Sequence, residues 1–181
     1  MLQAGGVPIL ADDTRIADEG NPHGYFEFEP VKQLDKNGGD VLWLPKARGH
    51  AVKIISFLLT WLPEAYDYQV VFMERDLDEV VASQKKLLVL RGEEVQTDTD
   101  ETTKNLFRTH LEQVKRLLAV RRCFTTLSVK YRDVIDQPPV QARRIAQFVG
   151  APLDPGRMAA AIDRGLYRNR APRSTDVHRT T

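Results

Sequence analysis

Val70-Val-Phe-Met-Glu-Arg75-Asp-Leu-Asp-Glu-Val-Val-Ala-Ser83-Gln84 decides the fold, because it reads as a buried strand turning directly into a helix. The run up to Met73 is β-branched and aromatic, as strands are. Asp76 and Glu79 then stand at the spacing of a capping box, with Asp in the place usually given to Ser or Thr. A strand-to-helix turn is therefore expected near Arg75. Asp76 and Ser83 are separated by about two helical turns and share a face, with Arg75 reaching over the same end. A guanidinium fork and a hydroxyl at that end suit a phosphate group. The plainer alternative is an Arg75 paired with Asp78 or Glu79 and a Ser83 that is an ordinary helix residue.

Two more β-rich runs flank this one: Ala51-Val-Lys-Ile-Ile55 upstream and Phe124-Thr-Thr-Leu-Ser-Val-Lys-Tyr131 downstream. Helical patterns cover 76–90, 98–120, 139–149 and 155–162, with Pro138 and Pro139 at one helix entry and Gly150 as a C-terminal cap. Phe107, Leu111, Val114, Leu117 and Leu118 recur at helical spacing and predict a packing face. Strands alternating with helices give an α/β class with a parallel sheet flanked by helices. The first fifty residues are richer in Gly and Pro, with one short helix expected near residues 30–36. Met1-Leu2 before Gly5-Gly6 has the look of a helix end. Residues 1–170 are expected to form a single domain and 171–181 a flexible tail.

The chain has 181 residues, 42% apolar and 28% charged, with a formal net charge of +1. This is the composition of a globular domain, and it lacks the basic excess of a nucleic-acid binder. The longest apolar stretch, residues 54–63, is half of what a bilayer span requires, so no membrane segment is expected. No signal peptide is visible. The lone Cys123 allows no intramolecular disulfide and fits a reducing cytoplasm. His23, His50, His110 and His178 show no metal-ligand spacing, so no metal is expected.

Several segments, taken in order, resemble the sulfotransferases that use 3′-phosphoadenosine 5′-phosphosulfate (PAPS), especially a bacterial branch of that family. They are Asp18-Glu-Gly-Asn-Pro-His-Gly-Tyr-Phe-Glu27, Val52-Lys-Ile-Ile-Ser56, Phe72-Met-Glu-Arg-Asp-Leu-Asp-Glu-Val-Val-Ala-Ser83-Gln, Val129-Lys-Tyr-Arg-Asp133 and Phe148-Val-Gly-Ala-Pro-Leu153. The resemblance implies a fold related to the P-loop kinases and PAPS as cosubstrate. It assigns the cofactor 3′-phosphate to Arg75 and Ser83, puts Tyr131 near the adenine, and suggests a further basic contact at Arg168. The family opens with a strand and a G-x-P-R-S-G-T-like loop for the 5′-phosphosulfate, a segment with no counterpart here. The expectation is therefore an N-terminally truncated form, inactive unless that loop lies upstream.

Sulfuryl transfer to a hydroxyl or amine requires a base for the acceptor's proton and positive charge on the breaking bond. Glu27 is the first candidate for base, with Glu29 and His23 behind it. The plainer alternative has Glu27 and Glu29 projecting together into solvent. Lys53 aligns with a lysine of the family's cytosolic branch and is the candidate cation, or else a lysine ending a strand in solvent. Ile55 stands where that branch has its catalytic His, so a His-based mechanism there is not supported. The expected acceptor is a small molecule or glycan. A non-catalytic nucleotide-binding or protein-interaction domain of the same fold is the alternative function, with an oligomer formed along an uncovered sheet edge as one arrangement. A small-molecule kinase would need a phosphate loop with Lys and an Mg²⁺ ligand, and neither is present.

Overall fold

The computed structural model describes residues 1–12, 14, 17, 24–36, 39–90, 92 and 100–167. Its centre is a parallel pair of strands, β1 (Tyr68–Glu74) and β2 (Phe124–Lys130), in register from Tyr68 opposite Phe124 to Glu74 opposite Lys130. Parallel neighbours need a long crossover. Here it is made by two helices, α1 (Leu77–Leu90) and α2 (Asp100–Val120). After β2 come α3 (Tyr131–Asp136), α4 (Pro138–Val149) and α5 (Pro155–Ala160). The result is α/β, with a small parallel sheet and helices.

Side chains alternate across the strands, and each face of the sheet builds its own core. Val70 and Phe72 of β1 and Phe124 of β2 join one cluster, with Val114 and Leu118 of α2 and with Val31, Leu34, Trp43, Leu44, Leu58, Leu59 and Leu62 from short helical turns. Val71, Leu127 and Val129 join the other, with Ala142 and Ile145 of α4 and Met158 of α5. Leu111 and Leu117 pack on the first cluster as their helical spacing predicts. Cys123 is buried there too.

Local chemistry sets the helix ends. Pro138 opens α4, and Gly150 closes it at φ 72° with its N–H on the Ala146 carbonyl, a conformation that costs glycine nothing. Asp154 caps α5 by accepting from the Arg157 N–H at 3.0 Å. Residues 1–7 carry the paired bonds of a helix C-terminus: Val7 N–H to the Leu2 carbonyl and Gly6 N–H to that of Gln3, both 3.0 Å. This turn lies against α5, where a Cβ on Gly5 would sit 2.5 Å from Met158 Cγ.

Three expectations need correction. Residues 51–55 are not a strand: among the described residues only Ala51 bridges, in parallel, to Ile9. Val52 and Ile54 pack on the core while Lys53 and Ile55 face out, so the alternation is there but no neighbouring backbone among the described residues completes a ladder. Residues 56–61 instead form a 3-10 turn, Ser56–Trp61. Tyr131 opens α3 rather than ending β2, because Val134 and Ile135 gain burial in a helix. The capping box at Asp76 is half made. Asp76 accepts from the Asp78 N–H at 2.9 Å, but Glu79 turns inward and is 3% exposed. The short helix foreseen at 30–36 is a 3-10 turn, Glu29–Gln33, while the tail 171–181 lies outside the described residues.

Candidate functional site

Arg75 follows the last residue of β1 and Tyr131 the last of β2, so parallel pairing brings both to the same, carboxyl edge of the sheet. In open α/β sheets that edge is where ligands bind. The Arg75 guanidinium carbon lies 5.1 Å from the centre of the Tyr131 ring, a cation–π distance. Its Nε donates to Glu79 Oε2 at 3.3 Å. The foreseen pairing with Glu79 therefore exists, but it uses only one edge of the guanidinium. The two terminal nitrogens of Arg75 have no acceptor among the described residues.

Glu79 is the hub. Its Oε1 accepts from Arg132 Nη2 at 3.2 Å and from the Tyr167 hydroxyl. Arg132 Nε in turn donates to the Tyr167 hydroxyl at 3.2 Å, and the rings of Tyr167 and Tyr131 meet edge to face at 5.5 Å. Burial first, then the bond to Glu79, pushes the Tyr167 hydroxyl above its ordinary pKa. The bond to Tyr167 and the neighbouring Glu79 carboxylate push Arg132 up as well. A buried carboxylate held by two guanidinium groups and a phenol is costly to break and fixes its partners in place. Ser83 stands one turn beyond Glu79 on α1, half-buried on the same stripe. Arg168 and His23 lie outside the described residues.

The second constellation is the segment after Gly24. Gly24 and Phe26 both adopt positive φ, 81° and 50°, and for phenylalanine that is a strained conformation. Asp12 holds it, donating its N–H to the Glu27 carbonyl at 2.9 Å and accepting the Glu29 N–H on Oδ2 at 2.6 Å. That bond from Glu29 is the leading cause of a lowered Asp12 pKa. Lys53 Nζ donates to the Tyr25 carbonyl at 3.0 Å and lies 3.9 Å from Glu27 Oε1. The candidate base and the candidate cation, far apart in sequence, are thus neighbours. Lys32 ties in the remaining candidate: its Nζ is 3.1 Å from Glu27 Oε2 and hydrogen-bonds Glu29. Those two bonds, Glu29's first, raise the Lys32 pKa. Glu27 is the more buried carboxylate, its side chain 20% exposed against 40% for Glu29.

Sequence reasoning missed Lys32, Arg132 and Tyr167 as members of these groups. Lys32 had a visible signal, three residues after Glu29 on a short helix. Tyr167 had none, since its partner is 88 residues away. A third pairing was also unforeseen: Ser56 Oγ and His110 Nε2 share a hydrogen bond at 2.9 Å, with the Phe57 ring stacked on the imidazole. Among the described residues no group of three or more His, Cys, Asp or Glu side chains is placed to hold a metal ion, and no helix is long and apolar enough to cross a membrane.

A model of the sulfotransferase family matches residues 14–155, most of the chain. The chain belongs to the sulfotransferase family. No curated protein and no solved structure matches it. The matched span includes Glu27, Glu29, Lys53, Arg75, Ser83 and Tyr131, while Tyr167 and Arg168 lie beyond it. Membership points to sulfuryl transfer as the chemistry of this sulfotransferase-family chain.

Proposed function

We propose that this chain is a sulfotransferase of P-loop-kinase-like fold that uses PAPS and passes its sulfuryl group to a hydroxyl or amine of a small molecule or glycan, in the cytoplasm. The observation that carries the reading is Arg75: its Nε is held by Glu79, its face rests on Tyr131, and its terminal nitrogens face no protein acceptor among the described residues. A guanidinium so fixed fits the fork geometry of a phosphate. Arg75 and Ser83, joined by Arg168, would hold the 3′-phosphate, with Tyr131 bordering the adenine. The bound nucleotide supplies the activated sulfuryl group. Glu27 is suited to take the acceptor's proton, and the Lys53 ammonium to place positive charge beside it. Glu29 is a reserve carboxylate on the same lysine, Lys32.

Calorimetric titration with adenosine 3′,5′-bisphosphate, beside adenosine 5′-monophosphate, tests the cofactor assignment. Preferential binding of the bisphosphate is expected, and Arg75→Ala should weaken it by roughly 1.5 to 3 kcal/mol, the value of a hydrogen bond to a charged group. Equal binding of the two nucleotides, or an unchanged affinity in folded Arg75→Ala, would remove the 3′-phosphate from this site and leave an interaction domain as the better description.

A further inference from the structure

An arginine with only one edge engaged usually samples several rotamers, and a phosphate that captures it must order it first. At Arg75 that ordering is already done, by a carboxylate that is 3% exposed and by the Tyr131 ring. Glu79 cannot do this alone, because a buried carboxylate needs compensating donors to stay in place. Two such donors are Arg132 Nη2 and the Tyr167 hydroxyl, both on Oε1, the oxygen that Arg75 does not use. Tyr167 is 5% exposed. It closes the short turn Arg164–Leu166, where Asp163 accepts from the Gly165 N–H at 2.8 Å. The hydroxyl at the end of the described chain is thereby linked, through one carboxylate, to the guanidinium at the end of β1.

Resting on the assignment of Arg75 to the nucleotide 3′-phosphate, we infer that Tyr167 and Glu79 are positioning residues that set selectivity for the 3′-phosphate, and that Arg132 serves them by sharing Glu79 Oε1. Neither side chain needs to touch the nucleotide. Their effect is to hold the Arg75 guanidinium so that the edge with no acceptor among the described residues presents both terminal nitrogens at once. Arg132 brings its positive charge to the oxygen of Glu79 that Arg75 leaves, so the buried carboxylate is not balanced by Arg75 alone. The device also ties nucleotide selectivity to the placement of the segment leading to Arg168, since Tyr167 directly precedes it.

Tyr167→Phe is the decisive variant, because it keeps the ring against Tyr131 and removes only the hydroxyl shared by Glu79 and Arg132. Its affinity for adenosine 3′,5′-bisphosphate should fall about tenfold, the value of one net hydrogen bond. Affinity for adenosine 5′-monophosphate should stay within twofold. Arg132→Gln, which removes the other donor to Glu79 Oε1, should compress the ratio of the two affinities in the same way. A purely structural tyrosine would weaken both nucleotides equally or neither, and either result overturns the inference. If the parent chain prefers the bisphosphate and Arg75→Ala abolishes that preference while Tyr167→Phe retains it in full, only the positioning role falls. If the parent chain shows no preference at all, the assignment of Arg75 fails and the inference falls with it.

Discussion

His110 meets a hydroxyl and an aromatic face at once, and its burial there affects how it titrates. Its Nε2 is 2.9 Å from Ser56 Oγ, and the Phe57 ring lies parallel to it with centroids 3.6 Å apart. Loss of water around the ring lowers its pKa below the ordinary histidine value. The sign of the effect on stability follows. At pH above the unfolded-state pKa of about 6.5 the imidazole is neutral in both states and contributes no pH dependence. As the pH falls below that value, the unfolded chain takes up a proton that the folded chain resists, so stability declines until the folded pKa has been passed. His110→Gln should flatten this limb. Urea titrations at pH 7.5 and at pH 5 should show a smaller loss of midpoint for the variant than for the parent. Equal losses would mean that the ring is not desolvated in solution. The pairing was invisible in the sequence, because Ser56 and His110 are 54 positions apart and neither belongs to a pattern that predicts the other.

The helices were legible because their signals are local. Pro138 and Gly150 each act within a few residues of where they stand, and each does in the structure what its chemistry predicts, whereas the equally local cap at Asp154 was not read from the sequence. At Gly150 this can be tested cleanly: a Cβ added there would meet nothing within 4 Å, so only the backbone conformation is at stake. Gly150→Ala should therefore cost about 1 kcal/mol, read as a lower urea midpoint with an unchanged slope. A neutral substitution would mean that α4 ends elsewhere. Strands are less local. The runs at 68–74 and 124–130 found each other, whereas 51–55, with the same alternation, has one bridge among the described residues, because composition predicts an extended backbone and not its partner. The site divides in the same way. Arg75 was recognisable from its place after β1, while the inward turn of Glu79 was masked by a spacing that equally suits a helix cap. The reason for that turn, donors 53 and 88 residues away, exists only in three dimensions. Glu27 and Lys53 were each singled out separately, and their contact is a product of the fold.

At the scale of the molecule, one parallel strand pair serves two cores, and every residue of β1 belongs to the backbone of both. We propose that residues 1–170 unfold as a single unit for this reason. Val70 and Phe72 face the cluster that holds Trp43, and Val71 faces the cluster that holds Met158. Losing either face should strip the shared strands of half their burial, and small domains commonly respond with one cooperative transition. Met158 is fully buried and also supports the turn at Gly5. Truncation to Ala should cost about 2 to 5 kcal/mol through lost burial and the cavity left behind. The informative readout is on the opposite face. Trp43 is 6% exposed and bonded through Nε1 to the Asp40 carbonyl at 2.8 Å, so its fluorescence reports the first core, while Trp61, 53% exposed, changes less. In Met158→Ala the urea midpoint of Trp43 fluorescence should fall together with that of far-ultraviolet circular dichroism. A fluorescence midpoint that stays at the parent value while the dichroism splits into two steps would show that the two faces unfold separately, and the residues would then form two folding units joined at the sheet.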